Sequence, residues 1–233
     1  MFGDKRWYLF TLMGNKVYMT LSFIIIAVVF AMSGVRTADH LLVGLLWIPT
    51  LFIGILLHEL GHAIASKRLG YGQSEILFWG LGGLAINRYR GPRKSKHQIL
   101  ISLAGPFVSF LIAVFSLGVL FLLEGSFSAT GYFSKFWEVM ALANGFWAIF
   151  NLLPIYPMDG GQALSSGLMI AMKDRGKALH TTGIISIVTI VAALSLSAFI
   201  FRQSPGIFMI LLALYFGYLN WKLIQTKQPQ QFF

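Results

Sequence analysis

The 233-residue sequence is 57% apolar and only 11% charged, with a mean hydropathy of +0.74; soluble globular domains carry about 25% charged residues, so the composition excludes them and indicates a polytopic membrane protein. Cysteine is absent, which excludes disulfides and cysteine-ligated metal. The formal net charge of +10 comes with no nucleic-acid motif, so nucleic acid is not an expected partner and the charge reads as basic loops gathered on one side of a membrane.

Residues 1–16 are mixed and basic, with Lys5, Arg6 and Lys16. Val17 to Val35 is the first apolar run, and a spanning helix needs about 20 such residues. Ala31-Met32-Ser33 resembles a signal-peptide cleavage site, but the stretch ahead of the run is long for an n-region, so a retained anchor is expected. The second run, Leu41 to Leu69, contains Pro49, where a kink is expected, and ends on Lys67 and Arg68. In its last third lies His58-Glu59-Leu60-Gly61-His62, which reads H-E-x-x-H. About 13 Å of helix rise separates His58 from Lys67, which puts the motif below the membrane surface but short of the midplane.

Ser74 to Asn87 is apolar, yet too short and too glycine-rich for a spanning helix. Two readings stand: a re-entrant loop or short hairpin beside the motif, whose sheet edge can pair with an extended peptide, or an ordinary interfacial loop. Arg88, Arg90, Arg93, Lys94 and Lys96 follow as a topology signal and a contact for lipid head groups. The third run, Gln98 to Leu123, holds Ala104-Gly105-Pro106, where small residues admit a neighbouring helix and the proline bends the run. A polar loop at 124–135 leads to the fourth run, Phe136 to Leu153. Pro154-Ile155-Tyr156-Pro157-Met158-Asp159-Gly160-Gly161 then breaks the helix, which restarts at Gly160 and continues to Met172. Broken membrane helices are a usual place for ligand or ion sites. Ala178 to Phe201 and Gly206 to Ile224 are the last two runs, joined by the tight turn Arg202-Gln203-Ser204-Pro205 and followed by a loose polar tail.

The expected architecture is therefore an all-α polytopic membrane protein: about six transmembrane helices, a re-entrant loop or hairpin, and one broken helix. A single membrane domain spans 1–233, with its core at 41–172. Lys and Arg number three in the N-terminal arm, seven after the second helix, three after the fourth and two in the tail; the alternate segments hold only Arg36, Lys135 and Arg202. The positive-inside rule then puts both termini in the cytoplasm and the motif toward the cytoplasmic face, with a plasma (inner) membrane as the expected location.

Residues four apart share a helix face, so His58 and His62 can hold one metal ion, and Glu59 can reach a water on it. Ionisable groups within a membrane run are expensive and mark function by default. A catalytic zinc wants three protein ligands and an open position. Of the eight carboxylates, Asp159 alone sits at a break in a membrane run and is the expected third ligand; a helix N-cap is the competing role. Glu59 is the expected general base. Asn151 is the first candidate for a hydrogen bond to an oxyanion, with helix-end packing as its alternative, and Asn144 is the second candidate. His40, His97 and His180 lie at helix ends and read as interfacial.

The H-E-x-x-H sequence together with Asn151-Leu152-Leu153-Pro154-Ile155-Tyr156-Pro157-Met158-Asp159-Gly160-Gly161 resembles the site-2 protease family of intramembrane zinc metalloproteases. Gly82-Gly83 and Ala104-Gly105-Pro106 fit the same resemblance, which covers residues 41–172. It implies that His58, His62 and Asp159 bind one zinc ion, that Glu59 is the base, and that Asn151 assists. It further implies cleavage of a substrate's transmembrane helix within the bilayer, as in regulated intramembrane proteolysis. Met158 stands where the family usually has Leu, and Ser109 where many members have Asn. No PDZ or CBS domain is expected. A non-catalytic membrane protein that holds helices or zinc, or a transporter, are the alternative readings.

Overall fold

The computed structural model describes residues 5–32, 38–123, 131–201 and 206–228. Residues 124–130 of the expected loop at 124–135, the turn at 202–205, the segment 33–37 and the end of the tail lie outside them, and residues 132–135 of that loop are helical, four residues ahead of the expected start at Phe136. Two compact units are present: Met1–Gly91 with Ala104–Ile149, and Pro92–Leu103 with Phe150–Phe233.

The first unit corrects the all-α expectation, because it contains a four-stranded sheet in the order β1-β2-β3-β4. Strands β1 (Trp7–Leu12) and β2 (Asn15–Met19) are antiparallel. The two residues between them, Met13 and Gly14, both have positive φ (51° and 85°), which matches the right-handed twist of a tight hairpin. Strands β3 (Ser74–Trp79) and β4 (Gly82–Asn87) form the second hairpin, and β2 joins it by parallel pairing with β3, Val17 opposite Ile76. The stretch Ser74–Asn87 is thus a two-stranded hairpin. The sheet also shortens the first apolar run. Val17–Met19 belongs to β2, and α1 begins only at Leu21 and is described to Met32. Valine and aromatic residues favour the pleated surface, and Val17 is fully buried there.

The second run is divided into α2 (Ala38–Leu45) and α3 (Trp47–Arg68). The break at Leu46 follows from Pro49, whose ring clashes with the carbonyl four residues back, that of Leu45. One face of the sheet packs on α3. Val17, Ile76 and Phe78 meet Ile55, Leu56 and Leu60 there, with Phe23 of α1 alongside. Phe78 stacks on Phe52 at 4.9 Å and takes Phe23 edge-on at 4.8 Å. Helices α4 (Ser95–Leu123) and α5 (Tyr132–Leu152) follow.

The second unit holds α6 (Asp159–Met172), α7 (Arg175–Phe201) and α8 (Ile207–Thr226). Ile155, Met158 and Ile190 form its buried centre, lined by Leu153, Leu194 and Phe216. The expected break between the fourth run and α6 is present, and its Tyr156–Pro157 bond is cis. Among the described residues, three helical stretches are long and apolar enough to cross a membrane: His40–Arg68, Ser95–Leu123 and Arg175–Phe199.

Candidate metal centre

Helix α3 places His58, Glu59 and His62 in the interior, each less than a tenth exposed. Their ligand atoms lie within 4.8 Å of one another, the one such cluster among the described residues. The Nε2 atoms of His58 and His62 face each other at 3.2 Å. Two nitrogens on one tetrahedral zinc, each about 2.0–2.1 Å from it, lie about 3.3–3.4 Å apart, so the pair fits such an ion.

The surroundings leave room for one. A Cβ added to Gly105 on α4 would collide with the Nε2 atoms of both histidines. Glycine at this position therefore keeps open the space that the two nitrogens share. Gly61 meets the Ala104 carbonyl and Val108 in the same way. The expected close helix approach at Ala104-Gly105-Pro106 is thus observed, between α3 and α4. Strand β4 crosses the other side. A Cβ at Gly83 would strike Glu59 and Ile55, and Gly82 (φ 128°) lies against the Trp147 ring. Trp147 in turn stands edge-on to His58, with ring centroids 6.5 Å apart.

The partner that orients His58 is a residue the sequence marks only as a departure from the family pattern. The His58 Nδ1 lies 2.9 Å from the hydroxyl of Ser109, which is fully buried on α4. If Nδ1 carries the proton and donates it to Ser109, Nε2 presents a lone pair toward Gly105, the tautomer a metal ligand needs. Ser109 lies one helical turn beyond Gly105 on α4, so one face of that helix meets both ends of the His58 ring.

Asn144 is buried and donates from Nδ2 to the Met140 carbonyl at 3.0 Å, while its Oδ1 lies against Gly54, one turn ahead of His58. It fills the α3–α5 crossing, and nothing in these contacts gives it chemistry. Asn151 is half-buried in the last turn of α5. Asp159 is half-buried in the second unit and is the first residue of α6. The extended Met158 (φ −61°, ψ 165°) occupies the cap position, so the expected restart at Gly160 moves back by one residue. A carboxylate in a first helical turn is favoured by the helix dipole. The cluster that the structure brings together is that of α3.

The peptidase family M50 model matches residues 46–130 and 123–196. A zinc metalloprotease of Methanocaldococcus jannaschii is 31% identical over 159 residues, 67% of this chain and 43% of that protein. Rip3 of Mycobacterium tuberculosis is 30% identical over 119 residues, 51% of this chain and 30% of its own length. The chain thus spans less than half the length of the curated relatives it matches. The solved site-2 protease from Methanocaldococcus jannaschii superposes with a TM-score of 0.62 at 25% identity, covering 98% of this chain and 100% of the other. The two family matches together take in both the α3 motif and the Asn151–Gly161 stretch, and the chain belongs to peptidase family M50, the site-2 proteases.

Proposed function

We propose that this chain is an intramembrane zinc metalloendopeptidase that hydrolyses peptide bonds within or near the transmembrane segments of membrane-protein substrates. The observation that carries this reading is the buried cluster on α3: two Nε2 atoms 3.2 Å apart over the Gly105 opening, with the Glu59 carboxylate beside them. His58, His62 and Asp159 would hold one zinc ion per chain; the support for Asp159 is the Pro-rich motif that carries it and the family match across that motif. A zinc bound there supplies Lewis acidity and an acidified water. Glu59 takes the proton of the attacking water and delivers it to the departing amine. Asn151 donates a side-chain hydrogen bond to the carbonyl oxygen as negative charge builds on it. A burial-tuned interior of this kind keeps bulk water from competing for those hydrogen bonds.

The substrate helix must unwind locally first, because helical hydrogen bonds occupy its carbonyls. The proposal includes a single membrane peptidase domain with its core at 41–172, six crossings in the plasma (inner) membrane, both termini in the cytoplasm, and a site nearer that face. The Lys and Arg distribution supports this orientation. Glu59→Gln provides the test. It should retain zinc and cleave a model membrane substrate at least about 100-fold more slowly, the lower end of what a positioned base contributes. Normal cleavage by that variant would sink the mechanism.

A further inference from the structure

We infer that Ser186 on α7 and Asn220 on α8 are positioning residues for Asp159: together they hold both backbone groups of Tyr156, three residues ahead of that carboxylate. Both side chains are fully buried. The Ser186 hydroxyl accepts the Tyr156 N–H at 3.0 Å, and its own proton faces the carbonyls of Thr182 at 2.8 Å and Pro154 at 3.1 Å. The Asn220 amide nitrogen donates to the Tyr156 carbonyl at 2.6 Å and to the Phe216 carbonyl at 2.9 Å. Both neighbours are acceptors, so only the nitrogen end of the amide can face them. No apolar residue can replace it without orphaning the Tyr156 carbonyl.

A broken helix has backbone groups that its own turns cannot satisfy, and in a membrane each must find a partner inside the protein. Around the break several of these groups find such partners. Pro154 O and Tyr156 N go to Ser186, Tyr156 O to Asn220, and Pro157 O to the Gln162 amide at 2.9 Å. Met158 N goes to Ile155 O at 2.8 Å. Gln162 lies on α6 itself, so its bond is local. Ser186 and Asn220 come from 30 and 64 residues away. They make the position of the break a property of the α7–α8 pair, whose close approach at Gly183 brings Asn220 and Ile224 against α7. The two C-terminal helices, which carry no motif, thereby fix the height and direction of the first turn of α6.

The inference rests on the reading of Asp159 as a zinc ligand, and the experiment separates the two. Zinc affinity of the full chain in detergent is measured by competition with a chromophoric chelator, alongside the melting temperature, for wild type, Asp159→Ala, Ser186→Ala, Ser186→Thr, Asn220→Leu and Thr189→Ala. Thr189 is the control, since its hydroxyl donates within α7, to the Ile185 carbonyl. Loss of an outer partner of a metal ligand typically weakens binding about 10- to 100-fold. Ser186→Ala and Asn220→Leu should each weaken zinc by about 10-fold or more, by no more than Asp159→Ala does. Ser186→Thr and Thr189→Ala should bind as wild type does. Wild-type affinity in Ser186→Ala and Asn220→Leu, with Asp159→Ala weakened, overturns the positioning role and leaves the ligand intact. A lower melting temperature without a change in affinity overturns it equally, as the mark of a merely structural contact. If Asp159→Ala binds zinc as tightly as wild type, Asp159 is not a ligand and the inference falls with that reading. Should Asn220→Leu fail to fold, Ser186→Ala, which removes a single oxygen, decides the matter.

Discussion

At the scale of single residues, Ser109 is the buried partner of the His58 ring. Its hydroxyl lies 2.9 Å from His58 Nδ1 in a fully buried setting, so it can set the tautomer and the direction of the ring. Ser109→Ala should leave the fold intact and weaken zinc about 10-fold, the lower end of the cost of losing such a partner. Chelator competition measures this, and unchanged affinity would remove Ser109 from the site. The histidines and Glu59 were legible in the sequence because four-residue spacing on a helix is a local property. The Ser109 contact spans 51 residues, and no spacing rule reports a bond of that range.

At the scale of elements, β3 and the start of α7 each permit a test. Phe78 is fully buried between Phe52 and Phe23. Phe78→Ala should cost about 3–5 kcal/mol, the usual range for opening a cavity of that size. Phe107→Ala on α4, at a position 60% exposed, should change the melting temperature little by comparison. Equal effects from the two would mean that β3 is not part of a packed core. Asp174 precedes α7 and accepts the Lys177 N–H at 3.0 Å. That hydrogen bond, with the Gly176 amide and the Lys177 and Lys227 charges adding to it, holds the Asp174 carboxyl below its ordinary value. A folded-state pKa below the unfolded one stabilises above the unfolded carboxylate value of about 4 and is lost as pH falls through the folded value. Melting temperature followed downward from neutral pH should therefore fall less steeply in Asp174→Ala than in wild type. Identical slopes would show that the cap contributes nothing.

For the molecule as a whole, the basic loops set the expected orientation in the bilayer. The sequence has no cysteine, so single introduced cysteines report sidedness without background. Lys94→Cys, in the basic cluster before α4, should react with an impermeant maleimide only from the cytoplasmic side, and Gly131→Cys, before α5, only from the opposite side. Reaction of both from one side would refute the six-crossing topology.

The sequence by itself determined the apolar composition, the helical character of the long runs, the break after the fourth run and the His58–Glu59–His62 cluster of α3. Each depends on composition or on spacing within a few turns, where hydrophobic periodicity and proline chemistry act directly. Only the tertiary structure decided the rest. The sheet arises because Val17 pairs with Ile76 across three intervening helices, and a hairpin turned at Met13-Gly14 carries little turn signal in its first residue. Gly105 reads in sequence as a generic small residue, and its meaning appears only when both histidine nitrogens face it. Ser186 and Asn220 look like ordinary polar residues in apolar helices until the unsatisfied backbone of the break is set beside them. In each case the partner lies far along the chain, and long-range pairing depends on the shape of the fold, which local sequence does not encode.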